Sequence, residues 1–217
     1  IGIIGAGNIG SNLTRRLTAL GHTVAVANSR NPETLRDLAT ATGAAAVPAT
    51  EAARNADLVV VTIPQKAVPN LPAGILDDRK PGAPVVDTGN YYPQQRDGRI
   101  AEIEDGLTES EWVSKQLGVP VIKAFNGIYA DHINANARPA GAPNRLALPV
   151  AGDDPAAKRV VMDLIDQIGF DPVDAGPLSD SWRQQPGTPV YGADLSAEGV
   201  RRALSEASRE RPAGFRA

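Results

Sequence analysis

The sequence predicts an α/β protein built on a doubly wound, mostly parallel sheet, with a carboxyl-terminal loop and helix packed on it. Three observations predict it. Glycines at 5, 7 and 10 separate the apolar start Ile1–Ile4 from a helical stretch. Apolar, β-rich runs then alternate with helical periodicity, the rhythm of parallel strands joined by crossover helices. Leu58–Ile63 is continuous and β-branched, as a strand buried on both faces requires.

Taken in order, Ile1–Ile4 is the tail of a buried strand, and a few residues are expected before it. Gly5 permits the tight turn, Gly7 lets backbone approach a pyrophosphate, and Gly10 lets helix pack on strand. Ser11–Leu20 reads as a helix, with Leu13, Leu17 and Leu20 at helical spacing and Gly21 as the stop. Thr23–Ala27 is the second strand, completing a βαβ unit of about thirty residues of the Rossmann type. Glu33–Thr42 is the next helix, stopped by Gly43. Ala44–Val47 is a short third strand, and Thr50 is placed to cap one helical turn.

Leu58–Ile63 is the fourth strand and ends at Pro64. Pro84–Asp87 and Val119–Phe125 are the fifth and sixth. Leu146–Ala151 is the seventh, its Pro149 placing it near an edge. Asp154–Ile168 is an amphipathic helix with Ala157, Val161, Leu164 and Ile168 on one face, and Asp171–Asp174 is a last short strand. Residues 1–174 thus form the nucleotide-binding domain. Residues 175–217 add a Pro/Gly-rich loop, a helix over Ser196–Ser208 and a polar tail expected to fray.

Bulk composition narrows the function. The 217 residues carry a net charge of −3, so no basic field invites nucleic acid or an anionic membrane. No cysteine is present, which excludes disulfides, thiolate metal sites and cysteine nucleophiles. The two histidines, His22 and His132, lack ligand spacing, so a metal is not expected. No apolar run reaches membrane-spanning length, and a cytoplasmic setting is expected.

The end of the second strand indicates which nucleotide is bound. An NAD-preferring protein usually places a carboxylate there for the ribose hydroxyls. This chain places Asn28, Ser29 and Arg30 instead. A guanidinium matches phosphate in a planar, two-pronged geometry, so the pattern predicts NADP(H) with Arg30 as the discriminating group. The plainer reading is a solvated loop arginine.

Ligands in such sheets lie across the carboxyl ends of the strands. That rule selects Thr62, Ile63 and Pro64 after the fourth strand, the segment from Asp87 to Pro93 with Asn90, Tyr91 and Tyr92 after the fifth, and Lys123 to Asn126 after the sixth. Asn90 reads equally as a turn former, Asn126 as a helix cap, and the tyrosines as rim packing. Strand alternation points Lys123 and Asn126 to opposite faces unless the strand ends between them.

Gly5-Ala6-Gly7-Asn8-Ile9-Gly10, Asn28-Ser29-Arg30, Thr62-Ile63-Pro64, Asp87 to Pro93 and Lys123-Ala124-Phe125-Asn126 together resemble the NADP oxidoreductase, coenzyme F420-dependent family. Its amino-terminal part is shared with pyrroline-carboxylate reductases and with the cytosolic domains of membrane ferric reductases. The resemblance implies a small cytosolic enzyme, often a homodimer, that passes hydride between NADP(H) and the deazaflavin coenzyme F420. It implies that Ser29 and Arg30 hold the 2′-phosphate, that Asn8 and Ile9 lie along the pyrophosphate, and that Ile63 and Pro64 flank the nicotinamide. The chain departs from the family where a second basic residue often follows the Ser-Arg pair; here Pro32, Glu33 and Thr34 follow. The loop Ser181–Gly187 resembles that of one bacterial subgroup.

The expected activity is hydride transfer between NADP(H) and a deazaflavin or flavin, which needs proximity and water exclusion more than a general acid. The alternatives are NADPH-dependent reduction of a small imine or carbonyl, with Lys123, Tyr91 or His132 as proton donor, and a non-enzymatic NADP(H) sensor.

Overall fold

The computed structural model describes all 217 residues. Six parallel strands form the main sheet in the order β3-β2-β1-β4-β5-β6, as a doubly wound dinucleotide fold requires. β1 (Gly2–Ile4) lies between β2 (Ala25–Ala27) and β4 (Val59–Val61), with β3 (Ala45–Ala46) outermost. β5 (Val85–Asp87) and β6 (Ile122–Lys123) extend the other side. Strand order reverses between β1 and β4, so their carboxyl ends diverge and leave a crevice.

Alternation along these strands divides the core into two layers. Ile3, Val26, Val60 and Val86 face a cluster that includes Leu13, Leu17, Leu38, Val161 and Ile165. Ile4, Val59, Val61 and Val85 face the other, with Ala52, Ile75, Trp112 and Val113. Covering the first face are α1 (Asn8–Ala19), α2 (Arg36–Thr42) and α6 (Pro155–Gln167). The short α3 (Ala101–Glu104) and α4 (Glu109–Leu117) cover the second. Each fully buried Val, Leu or Ile contributes roughly 1.5–3 kcal/mol, so a core rich in small aliphatics is sufficient without many aromatics.

After the short α5 (His132–Ala135), β7 (Ala147–Val150) and β8 (Asp171–Asp174) flank α6 as a separate two-stranded parallel sheet. A single antiparallel bridge, Lys123 to Ala151, joins it to the main sheet. α7 (Ala197–Glu206) packs Val200, Ala203 and Leu204 on this unit. No helix is long and apolar enough to cross a membrane.

Several elements differ from the sequence reading. α1 begins at Asn8, not Ser11, because the chain enters the helix directly from the glycine turn. The helix expected over Glu33–Thr42 starts as a 3-10 turn, Pro32–Leu35, capped by Asn31. Thr50 caps nothing: the turn Ala49–Glu51 has Pro48 at its N-cap and no side-chain bond. The sixth strand spans two residues rather than seven, since Phe125 adopts φ 62° and turns the chain. Asn126 precedes no helix. The tail is docked rather than frayed: Gln94 Nε2 donates to Ala213 O and Arg216 O, both at 3.0 Å, and Phe215 packs by Tyr92.

Candidate functional site

The glycine turn divides into two parts by what surrounds each position. Gly5 has φ 114°, and a Cβ there would overlap Thr62 O and lie 2.8 Å from Ile63 Cγ2. At Gly10 a Cβ would overlap Gly5 O and lie 2.9 Å from Thr62 Cγ2. Both are demanded by the packing of strand and helix. Gly7 differs, being exposed, with φ −74° and nothing within 4 Å of where a Cβ would stand. No protein atom requires a glycine there, and the space beside it is open.

Helix α1 starts at this point with Gly7 as N-cap, no side-chain cap and no acidic residue in its first turn. Its first amides and the positive end of its dipole are therefore available to an anion. An uncapped helix start beside an unfilled glycine fits the pyrophosphate of a dinucleotide.

At the end of β2, Asn28 Oδ1 accepts the Arg30 N–H at 2.8 Å, and Nδ2 donates to Thr34 Oγ1 at 2.9 Å. Asn28 thus shapes a turn that presents Ser29 and Arg30 outward, both exposed. The Arg30 guanidinium makes no hydrogen bond or ion pair within the chain. These are residues suited to hold a 2′-phosphate.

A cleft of about 270 Å³ lies across the carboxyl ends of β1, β4 and β5. Gly7, Asn8 and Ile9 line it from the first turn, Thr62, Ile63 and Pro64 from the end of β4, and Thr88, Gly89 and Asn90 from the end of β5. Arg96 completes the wall. The structure therefore brings seven of the thirteen predicted site residues into one cleft. Gly5 and Gly10 lie buried beneath it, and Asn28, Ser29 and Arg30 stand one strand over, on β2. Asn126 is buried behind.

The β5–β6 side is closed. Asn90 Nδ2 donates to Asn126 O at 2.9 Å, and Asn126 Nδ2 donates to Asn90 Oδ1 at 3.1 Å and to Gln184 O at 2.6 Å. Gln184 Nε2 returns a bond to Asn126 Oδ1 at 3.0 Å. The two asparagine side chains are engaged with the protein and pin the Trp182 loop to the sheet; only Asn90 reaches the cleft wall. Phe125 explains their meeting, since its left-handed backbone ends β6 and turns Asn126 back toward Asn90.

Beneath this wall lies an ion cluster. Asp87 and Lys123 are register partners on β5 and β6. The fully buried Lys123 Nζ donates to Gly89 O at 2.5 Å and sits 3.4 Å from Asp87 Oδ2 and 3.7 Å from Glu109 Oε2. Ser110 Oγ donates to Asp87 Oδ2 at 2.6 Å, and Arg211 from the tail reaches Glu109 Oε1 at 3.1 Å. Burial pushes the Glu109 carboxyl above its usual range, against the pull of Lys123 and Arg211. A Cβ at Gly89 would lie 2.7 Å from Gln65 Oε1 and 2.9 Å from Asp87 Oδ1, so this cluster fixes the backbone that forms the cleft wall.

The other titratable candidates lie elsewhere. Tyr91 is buried, its hydroxyl accepting the Ile100 N–H at 2.9 Å. Tyr92 meets the Tyr191 hydroxyl. His132 Nδ1 pairs with Asp194 and does not line the cleft.

Sequence reasoning missed Glu109, Arg96 and Arg211. The first had a signal: Thr108-x-x-Glu111 before Trp112 and Val113 is a capping box, and both of its bonds form, at 3.1 and 2.9 Å. It marks the start of α4, which carries Glu109 inward. Arg96 and Arg211 had no local signal.

A model of the family described as NADP oxidoreductase, coenzyme F420-dependent, matches residues 1–91, the stretch that supplies the turn, the Ser29–Arg30 pair and most of the cleft. A hypothetical protein of Sinorhizobium meliloti is 32% identical in sequence, with a TM-score of 0.75 over 89% of this chain and 93% of that one. Protein YjhV of Escherichia coli strain K12 is 48% identical over 77 residues, 36% of this chain. The chain spans about half of that relative, 54% of its length. The fold also matches a protein of Arthrobacter sp. FB24 provisionally assigned as an F420-dependent NADP reductase, at 21% identity and a TM-score of 0.67 over 82% and 85% of the two chains. Glycine turn, strand order and the family model converge on the amino-terminal part: residues 1–91 belong to the NADP oxidoreductase, coenzyme F420-dependent family.

Proposed function

We propose that this chain is an oxidoreductase that transfers hydride between NADP(H) and a deazaflavin or flavin such as coenzyme F420. The observation that carries this reading is the lining of the cleft. It offers backbone, small polar groups, aliphatic side chains and one guanidinium, but no histidine, tyrosine, lysine or carboxyl group. Reduction of an imine or carbonyl needs a proton donor near the reacting carbon, and Lys123, Tyr91 and His132 are all engaged away from the cleft. Transfer between two heterocycles needs only that they be held face to face in a dry site.

In this reading the first amides of α1, Asn8 and Ile9 hold the pyrophosphate, and Ser29 and Arg30 hold the 2′-phosphate. Thr62, Ile63 and Pro64 form one wall beside the nicotinamide, while Gly89 and Asn90 form the other. When bound, NADP(H) supplies or accepts the hydride. The residues orient it and exclude water, and the Lys123 cluster keeps the Gly89 wall rigid. The family match to residues 1–91 supports the same assignment.

Stopped-flow mixing of the protein with NADPH and coenzyme F420 tests it. The deazaflavin absorbance should bleach as NADPH is oxidised. No bleaching, with NADPH oxidation by a cyclic imine instead, would transfer the assignment to imine reduction.

A further inference from the structure

Resting on that reading, we infer that Arg96 is a specificity-determining residue: the second substrate carries a phosphate or carboxylate group, and the free edge of the Arg96 guanidinium receives it beside the nicotinamide.

Arg96 lies in the π-turn Pro93–Asp97 that follows β5 and supplies the cleft's cation. One edge of its guanidinium is fixed. Nε donates to Asp97 Oδ1 at 3.0 Å, and Nη2 donates to Asp97 Oδ2 at 2.9 Å and to Asn90 O at 2.5 Å. The guanidinium carbon lies 5.1 Å from the centre of the Tyr92 ring. Of the five N–H groups, three are engaged in this way, and the two on Nη1 have no partner.

The anchor beneath is well satisfied. The Asp97 side chain is fully buried, whereas that of Arg96 is 34% exposed. Asp97 also accepts the Tyr92 N–H at 2.8 Å and the Lys66 N–H at 3.3 Å. Its negative charge is thus shared among backbone and guanidinium donors, and the arginine is held still with one edge outward. A surface arginine loses rotamer freedom when it binds an anion, but this one is already ordered. The residue is therefore preorganised for an oxyanion.

Two oxyanions fall within reach of this chemistry: one on the second substrate and the pyrophosphate of NADP(H). The α1 amides already address the pyrophosphate, and Arg96 belongs to the β5 side with Thr88, Gly89 and Asn90. The second substrate is the assignment.

The test compares coenzyme F420 with its deazaflavin core lacking the phosphodiester and glutamyl groups, each titrated into NADP⁺-saturated protein and followed by deazaflavin fluorescence. The wild-type protein should prefer the full coenzyme by about tenfold to a hundredfold, the range of one charge-assisted bond. Arg96→Ala should bind both alike, with NADPH affinity unchanged. The double variant Arg96→Met, Asp97→Asn removes the buried carboxylate along with its partner and should behave the same if the single variant folds poorly. A preference that survives in the variants would overturn the inference, as would a parallel loss of NADPH affinity, which would assign Arg96 to the cofactor. If the wild-type protein bound neither probe, the deazaflavin reading itself would fall, and the inference with it. F420 bleaching by NADPH together with an unchanged preference would leave that reading standing and remove only Arg96.

Discussion

The two halves of the sheet's mouth treat polar groups in opposite ways. On the β1–β2 side, donors are left without partners: the first amides of α1 have no side-chain cap, Gly7 faces open space, and the Arg30 guanidinium makes no hydrogen bond or ion pair, though the Arg30 N–H bonds Asn28. On the β5–β6 side, the polar side chains of Asp87, Asn90, Lys123 and Asn126 all bond within the chain. The first half is a socket and the second a brace. Unpartnered donors on the surface are satisfied by water at little cost and exchange it for a ligand. Buried ions without partners would cost several kcal/mol each, so the brace pairs its charges within the chain: Lys123 with Asp87 and Glu109, and Glu109 with Arg211.

Breaking the brace should have the largest effect. Lys123→Met leaves Asp87 and Glu109 buried without their ammonium and should cost about 3–5 kcal/mol, read as a lowered urea midpoint at unchanged slope. An unaltered midpoint would mean that the cluster carries little charge. In the socket, Arg30→Ala should weaken NADPH by about ten- to a hundredfold, with NADH binding and melting temperature unchanged. Equal losses for both nucleotides would place Arg30 away from the phosphate.

The glycines sharpen the contrast within one turn. Gly10→Ala forces a methyl against Gly5 O and should destabilise by about 1–3 kcal/mol, measured by chemical denaturation. Gly7→Ala should alter stability by no more than about 0.5 kcal/mol while lowering NADPH affinity in a titration. If both variants lost stability equally, Gly7 would be a folding requirement rather than a ligand gap. Asn28→Asp keeps the acceptor for the Arg30 amide and should move the NADPH-to-NADH affinity ratio toward NADH by about tenfold.

Legibility in the sequence follows the same division. Gly5, Gly7 and Gly10 show as a spacing within six residues, although Thr62 and Ile63 supply part of the packing that demands the first and last, and Asn28-Ser29-Arg30 shows as a turn of three. Local patterns of that kind are written in order along the chain. The brace is assembled from residues far apart: Asp87 and Lys123 are separated by 36 positions, and Glu109 and Arg211 by 102. The Phe125 turn, which cut short the expected sixth strand and brought Asn126 to Asn90, is a left-handed conformation that a bulky residue adopts only when surrounding packing holds it there. No propensity foretells it.

The sequence by itself determined the parallel sheet, the glycine turn and the basic end of β2, because periodicity and short-range sterics dictate them. Only the tertiary structure decided which polar residues remain free for a ligand and which are consumed inside. A side chain's availability depends on what distant segments bring against it. Lys123 and Asn126 are claimed by β5, α4 and the Trp182 loop, whereas Arg30 is claimed by none.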